Sequence, residues 1–442
     1  MPHAQIAGSC HAGWPPPRCV APCCVQQPRL LYSWRTSVRP RPGSATLAES
    51  PATGSSRIAF AGVAADPGEC RGARERLLPW WSEERLARAR IVVAGAGAIG
   101  NELVKNLALA GAGRVLVIDL DTVSPSNLSR SVLFRDGDVG LPKAQVVARR
   151  AMDLNPAVTV IPVVGDLRRD LALSTLRSAD LILGALDNIE ARFTLNRRSH
   201  LAATPYIDAG ISDSQAQVSR FVPGAGACYE CVFTEGMRRR FTERYSCTGL
   251  VRRAPDRTVP TTIVGAAVAA ALQVQDALRW LHDPATGLAP GQRVTVLLDA
   301  FRQFVDDLPE DPNCLAHAAP AVPSLLLEDG PAAVSPAMLA VAAGDPAAGV
   351  DLGFDLVESF RCPACGSCEP VCRPAALVFE DEAICPGCGG ERQVTLAAEI
   401  LPGSPARDRP LAALGVAPRE ILRTGTTWVE LGGPDPWAPP AG

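Results

Sequence analysis

The feature that most constrains this chain is a glycine-spaced turn, Gly95-Ala96-Gly97-Ala98-Ile99-Gly100, set between an apolar strand and a helix. Arg90 to Ala94 reads as a short buried strand, and Asn101 to Ala110 as a helix stopped by Gly111 and Gly113. Glycines let the backbone turn tightly and approach a ligand closely, while a helix N-terminus attracts negative charge. Asp119 follows Gly100 by 19 residues, at the end of the next apolar run. A carboxylate there can bind ribose hydroxyls.

The alternation of strand and helix continues. Lys143 to Leu154 reads as a helix ending before Asn155-Pro156. Val158 to Val164 and Asp180 to Leu186 read as strands, Ile189 to Ala202 as a helix, and Tyr206 to Asp208 as a strand stub. Gln215 to Val222 and Arg293 to Leu298 read as an antiparallel extension. The fold class expected is α/β, with a Rossmann-like, mainly parallel sheet and that extension. A small zinc-ribbon-like module is expected toward the C-terminus.

Composition narrows the function classes. With 47% hydrophobic and 20% charged residues, the 442-residue chain can bury a large core. A net charge of −3 argues against a general nucleic-acid binder. The most apolar stretch, Ile263 to Leu272, is followed by Gln273 and falls short of the roughly 20 residues a membrane span needs. Its small residues suit a tightly packed core helix. Fifteen cysteines, many in Cys-x-x-Cys pairs, point to metal sites in a reducing, cytoplasmic setting rather than a disulfide scaffold.

Residues 1–57 hold six Arg, no Lys and one acid, Glu49, with many prolines. They are expected to be a disordered tail or the product of a start placed too far upstream, with an organelle transit peptide as the alternative. The expected order is then a nucleotide-handling domain over 58–325, a linker over 326–354, the ribbon-like module over 355–395 and a tail over 396–442. That tail is expected to hold a short helix from Pro418 to Leu422 and a strand from Thr427 to Leu431.

The glycine turn alone suits a nicotinamide-linked oxidoreductase. The residues that follow change the reading. Asp119-Leu120-Asp121 leads into Ser126-Asn127-Leu128-Ser129-Arg130, and Gly140-Leu141-Pro142-Lys143 opens the next helix. Backbone amides serve a pyrophosphate bridge, whereas a site that handles a triphosphate and releases pyrophosphate must neutralise more charge. Arg130 and Lys143 can supply that neutralisation.

Taken in order, the GAGAIG turn, the DLD turn, SNLSR, GLPKA, the ALDN strand end and a Cys-x-x-Cys resemble the ThiF/MoeB/HesA family, bacterial relatives of ubiquitin-activating enzymes. The resemblance runs from about Arg71 to His317. It implies adenylation, with ATP and Mg²⁺, of the C-terminal Gly-Gly carboxylate of a ubiquitin-like or sulfur-carrier protein. It implies that Gly95, Gly97 and Gly100 cradle the nucleotide and that Asp119 binds its ribose. Asn127, Arg130 and Lys143 would hold the phosphates, and Asp187 would coordinate Mg²⁺. The alternative for Asp187 is an N-cap on the helix that follows. Arg71 and Arg74 resemble an upstream pair that reaches the neighbouring subunit of a homodimer. Cys247, near Arg240, Arg244, Arg252 and Arg253, is a candidate nucleophile, since nearby cations favour the thiolate.

Two zinc sites are expected. Cys228 and Cys231 form a first pair, and Cys314 with His317 a second, closing a structural site as the resemblance implies; His317 departs from the usual cysteine. Cys362-x2-Cys365 and Cys385-x2-Cys388, with 19 residues between, have zinc-ribbon spacing. Cys368 and Cys372 are left without an assigned role. A non-catalytic, zinc-stabilised scaffold is the remaining rival.

Overall fold

The computed structural model describes residues 70–234, Met237, Leu250 and 261–438. The expected N-terminal tail, Cys247, and the arginines at 240, 244, 252 and 253 lie outside the described residues. Everything described belongs to one unit, Ala64–Gly442.

Eight strands form the larger sheet: β1 (Arg90–Ala94), β2 (Arg114–Asp119), β3 (Thr159–Val164), β4 (Leu181–Gly184), β5 (Tyr206–Ile211), β6 (Gln215–Phe221), β7 (Gln292–Leu297) and β8 (Arg302–Asp307). Their order is β3-β2-β1-β4-β5-β6-β7-β8. The first five are parallel and the last three antiparallel. Chain order therefore reverses between β1 and β4, and a ligand crevice opens beyond the carboxyl ends of strands at such a point. β8, exposed along its length, was not anticipated from sequence.

Six helices are involved here: α1 (Glu83–Arg88), α2 (Ala98–Ala110), α3 (Lys143–Leu154), α4 (Leu173–Arg177), α5 (Ile189–Ala202) and α6 (Ile263–His282). The central strands are buried on both faces, which is why Ile91-Val92-Val93-Ala94 reads as a continuous apolar run. Ile91, Val93, Val115 and Val117 pack with α2, α3 and α6; Val92, Ala94, Leu116 and Ile118 pack with α4 and α5. Ala266, Ala269 and Ala270 of α6 are fully buried, so their small size brings the helix close to the sheet. Helix α2 starts at Ala98 rather than Asn101, because Gly97 is extended and caps it; the glycine turn itself supplies the first helical turn. Among the described residues, no helix is long and apolar enough to cross a membrane.

A second sheet follows, made of β9 (Leu325–Leu326), β10 (Val350–Arg361), β11 (Cys368–Pro374), β12 (Gln393–Ile400), β13 (Ile421–Thr424) and β14 (Thr427–Glu430), with α7 (Pro336–Ala342) beside it. Its order is β11-β10-β13-β14-β9, and β12 also pairs with β10. Residues 326–354, read as a linker, carry α7 and the start of the long strand β10. The helix expected over Pro418–Leu422 is not formed. Ile421 and Leu422 instead lie in β13, one packed toward each of two cores, and Gly425 at φ 57° turns the chain into β14. A strand buried on both faces carries no alternation to distinguish it from a helix.

This sheet is docked on the first. Glu420 accepts from the Leu173 amide at 3.0 Å and pairs with Arg198 at 2.9 Å. Trp437, 1% exposed, donates its indole N–H to Ser178 Oγ at 2.9 Å. Residues read as a tail thus contribute a large side chain to the main core.

Candidate active site

The glycine turn leaves β1 and runs against the end of β4. Gly95 has φ 100°, and a Cβ there would sit 2.5 Å from the Ala185 carbonyl oxygen. A Cβ on Gly100 would collide with the Gly95 carbonyl. Both positions therefore require glycine, whereas Gly97 faces open space at the start of α2. That combination gives a closely packed turn with room on its outer side, where the helix N-terminus favours an anion.

Asp119 closes the turn from the end of β2. Its Oδ2 accepts from the Ala96 amide at 2.7 Å and its Oδ1 from the Asp121 amide at 2.8 Å. A carboxylate has about four acceptor positions, so both oxygens retain capacity for ligand hydroxyls. Burial raises the Asp119 pKa above its ordinary value, against the lowering effect of those two amides and of Lys143.

Lys143 starts α3 and is mostly buried. Its ammonium meets Asp121 Oδ2 at 2.7 Å, and its amide donates to Asp121 O at 2.9 Å. The glycine turn, Asp119, Asp121 and Lys143 thus form one connected network. Asn127 and Arg130 lie in the adjoining short turn, Pro125–Asn127 and after. Asn127 Oδ1 accepts from the Ser124 amide at 3.0 Å, and Arg130 Nη1 donates to Ser126 O at 2.6 Å. This turn is stitched to the residues before Lys143 by bonds between Val123 and both Gly140 and Leu141. Arg71 and Arg74 are exposed in the turn before α1, with no side-chain bond to the glycine turn among the described residues.

At the end of β4, Asn188 rather than Asp187 caps α5, accepting from the Ala191 amide at 2.8 Å. Asp187 is exposed, which leaves its carboxylate open to a cation. The turn that presents it is braced by Arg192. That side chain donates to Leu186 O at 2.6 Å and Ala209 O at 3.0 Å, and pairs with Asp208 at 2.9 Å. Burial opposes the Arg192 charge, but Asp208 beside it holds its pKa above the ordinary value. Burial likewise raises Asp208, which also accepts from the Tyr206 hydroxyl at 2.5 Å.

Sequence reasoning missed four positioning residues. Besides Arg192 and Asp208, buried Asn101 donates to Ala96 O at 2.7 Å and accepts from the Leu133 amide at 3.1 Å, joining α2 to the loop beyond Arg130. Gln273, in the apolar helix α6, donates to Gly184 O and Ile207 O at 2.9 and 2.8 Å. A lone polar residue in that apolar run was the available signal for Gln273. Beside this frame lies a cavity of about 260 Å³ lined by Arg192, Asp208, Gln217, Ser219, Tyr229 and Arg293.

Both cysteine clusters assemble. Four ligands on a zinc ion about 2.3 Å from each sulfur lie about 3.8 Å apart. Cys228 Sγ is 3.7 Å from both Cys231 Sγ and Cys314 Sγ, and Cys231 Sγ is 3.4 Å from His317 Nε2. In the other cluster Cys362 and Cys388 are 3.4 Å apart and Cys365 and Cys385 3.7 Å. The four ligand atoms of each set lie within 4.8 Å of one another, so the donor sets fit one zinc ion each. Each ribbon knuckle closes on itself, Gly366 N to Cys362 O and Gly389 N to Cys385 O, both at 2.9 Å. Cys368 and Cys372 stay outside the cluster; Cys368 is exposed and Cys372 is buried in the core of the second sheet.

Fold and site together define a doubly wound nucleotide-binding protein whose glycine turn is joined to a buried lysine, with two clusters of four side chains suited to holding a metal ion. The chain belongs to the ThiF family, whose family model matches residues 74–316. It is 40% identical over 156 residues to the sulfur carrier protein adenylyltransferase of Thermus thermophilus, covering 34% of this chain and 58% of that one. It is 34% identical over 171 residues to the SAMP-activating enzyme E1 of Haloferax volcanii, covering 39% and 63% respectively. Among solved structures, E. coli MccB + ATP matches with 25% identity and a TM-score of 0.48, over 57% of this chain and 75% of that one. The chain therefore spans less than two thirds of either curated relative.

Proposed function

We propose that this protein uses ATP to adenylate the C-terminal glycine carboxylate of a ubiquitin-like or sulfur-carrier protein ending in Gly-Gly. The observation that carries the reading is the buried Lys143 ammonium, linked through Asp121 to the strand end that supplies Asp119. A nicotinamide site has no use for that cation beside its glycine turn. Membership of the ThiF family and the names of its relatives support the same chemistry.

In this reading the carrier carboxylate oxygen attacks the α-phosphorus of ATP, and pyrophosphate leaves. Gly95 to Gly100 receive the phosphates, Asp119 accepts from the ribose hydroxyls, and Asn127, Arg130 and Lys143 balance the charge that develops. Lys143 exchanges its bond to Asp121 for one to phosphate. Asp187 would hold Mg²⁺, which would supply further neutralisation of the phosphate oxygens. Arg192 keeps the turn bearing Asp187 in place. Cys247 then accepts the acyl group as a thioester, with AMP leaving. Arg71 and Arg74 reach the partner nucleotide in a homodimer. The two cysteine clusters would hold structural Zn²⁺, and such reduced cysteines fit a cytoplasmic protein. The nucleotide-binding part of the chain extends over 58–325, and the second sheet carries the ribbon-like module within the same compact unit.

The test is ATP–pyrophosphate exchange by the purified chain with Mg²⁺ and individual carrier proteins. Exchange that requires one carrier and disappears in Asp187→Ala supports the assignment and names the substrate. ATP binding without exchange for any carrier favours a non-catalytic scaffold.

A further inference from the structure

The edge of an open sheet presents a row of unpaired N–H and C=O groups, a template for another chain unless something blunts it. Among the described residues, the edges of the two sheets are blunted with one exception. β3 carries Pro162, β11 carries Pro370 and Pro374, β8 carries Arg302, Asp306 and Asp307, and β9 is two residues long. The exception is β12, which pairs with β10 alone. It is eight residues long and mostly exposed, holds no proline and no cation, and has a single charge, Glu399, near its end.

A cavity of about 430 Å³ lies against this strand. Its lining takes in the consecutive residues 396–399, together with Leu401 and the turn 403–405. Successive strand side chains point to opposite faces, so contact with four in a row includes main chain. Glu358 of β10 also lines the cavity. Val357 pairs with Leu396 and Ser359 with Thr395, so Glu358 is the extra residue of a β-bulge, an irregularity that re-aims a side chain. Its carboxylate accepts from Ser404 Oγ and retains most of its acceptor positions. Neither Glu358 nor Glu399 forms an ion pair among the described residues, and no Lys or Arg lines the cavity. Leu396 and Leu401 beside them are 39% and 55% exposed.

We propose that β12 accepts an extended segment of a partner protein as an added strand, with a Lys or Arg of that segment set on Glu358. Main-chain bonds along the open edge supply affinity, and the acidic cavity selects the side chain. Leu396 and Leu401 suit the alkyl stem of a long basic residue, whose charged head then meets the carboxylate. A second copy of β12 brings no cation to Glu358, so charge favours a basic partner over self-association. The inference stands on the strand edge and its cavity and does not rest on the adenylation reading.

The test uses the full-length chain and a fluorescein-labelled nonapeptide of alternating Thr and Val with Arg at its centre, beside the same peptide with Glu there. Both end in an amide, which removes them from any adenylation chemistry. Fluorescence anisotropy is expected to show saturable binding of the Arg peptide, about tenfold or more tighter than the Glu peptide, as for a charge-assisted hydrogen bond. Glu358→Gln keeps an acceptor for Ser404 Oγ and is expected to erase most of that preference. Amide hydrogen exchange across 393–400 is expected to slow when the Arg peptide is bound, because outward amides gain partners. N-methylation of alternate peptide amides is expected to abolish binding in one of its two phases, since only one set of amides faces β12. Equal binding of the two peptides, or an undiminished preference in Glu358→Gln, overturns the role of Glu358. Binding without protection at 393–400 overturns strand addition. No saturable binding of the Arg peptide, or a dimer in sedimentation that itself protects 393–400, overturns the proposal as a whole. None of these readouts needs turnover, so a failure here is separable from a failure of the adenylation reading.

Discussion

Lys143 is tied to Asp121 twice, through its ammonium to Oδ2 at 2.7 Å and through its amide to the carbonyl at 2.9 Å. The backbone bond fixes where α3 begins, and the side-chain bond parks the cation beside the glycine turn. Lys143→Ala keeps the first and loses the second. Carrier-dependent ATP–pyrophosphate exchange is expected to fall on the order of 10²-fold or more, as for removal of one stabiliser of developing charge. Exchange at a near-normal rate would remove Lys143 from the site.

Asp187 and Asn188 divide two tasks that a single acidic cap could have shared. Because Asn188 makes the capping bond at 2.8 Å, Asp187→Ala is expected to leave the ligand-free unfolding midpoint nearly unchanged while abolishing Mg²⁺-dependent exchange. Asn188→Ala is expected to lower stability by about 1 kcal/mol, the usual loss for an N-cap. Denaturant unfolding of both variants checks the division; a large destabilisation in Asp187→Ala contradicts it.

Glycine at position 100 answers a steric demand. A methyl group there meets the Gly95 carbonyl, and the backbone cannot yield without displacing the turn from Ala185. Gly100→Ala is expected to cost about 1–3 kcal/mol, in the range for overpacking, and to weaken ATP binding. Gly97→Ala, with open space around its Cβ, is expected to leave folding nearly intact. Parallel thermal melts with and without Mg-ATP separate the two.

The pH response of Asp119 follows from its burial. Its pKa stands above the ordinary 3.8, so the folded state disfavours the charged carboxylate. This penalty is absent below pH 3.8, where the group is protonated in both states. It develops as pH rises and is complete above the raised folded value, so this group makes stability fall with rising pH across that window. Ribose hydroxyls donate to the charged form and shift the balance back. ATP binding is therefore expected to release protons within the window, and Asp119→Ala to eliminate that release. Calorimetry of ATP binding in buffers of differing ionisation heat measures it directly.

Metal content gives a further check. Two zinc ions per chain are expected, and Cys231→Ser is expected to lose the one at the first cluster while the ribbon cluster keeps its own. Elemental analysis after dialysis distinguishes this from a single shared ion. Because the first cluster joins Cys228 and Cys231 to Cys314 and His317 far along the chain, its loss is also expected to lower the melting temperature.

Much of this protein was legible in order along the chain. Local steric and charge rules select glycine at 95 and 100, an acid at 119 and a cation at the start of α3, so those positions could be read without the fold. The Cys-x-x-Cys spacings likewise announce ligand pairs before their partners are known. Other features depend on residues distant in sequence. Arg192 gains its role from the Leu186 and Ala209 carbonyls and from Asp208; Gln273 gains its role from two neighbouring strands. Ile421 and Leu422 become a strand only because a core lies on each side of them, and Trp437 is buried only because α4 offers it a seat. Leu250 reads as one apolar residue in an arginine-rich stretch, yet it is fully buried in one cluster with Val357, Phe360 and Val378 of the second sheet's layer. Sequence by itself determined the chemistry each short motif can perform, because that chemistry is set by side-chain type and local backbone geometry. Tertiary structure decided which groups brace them, because burial and long-range hydrogen bonds exist only once distant segments meet.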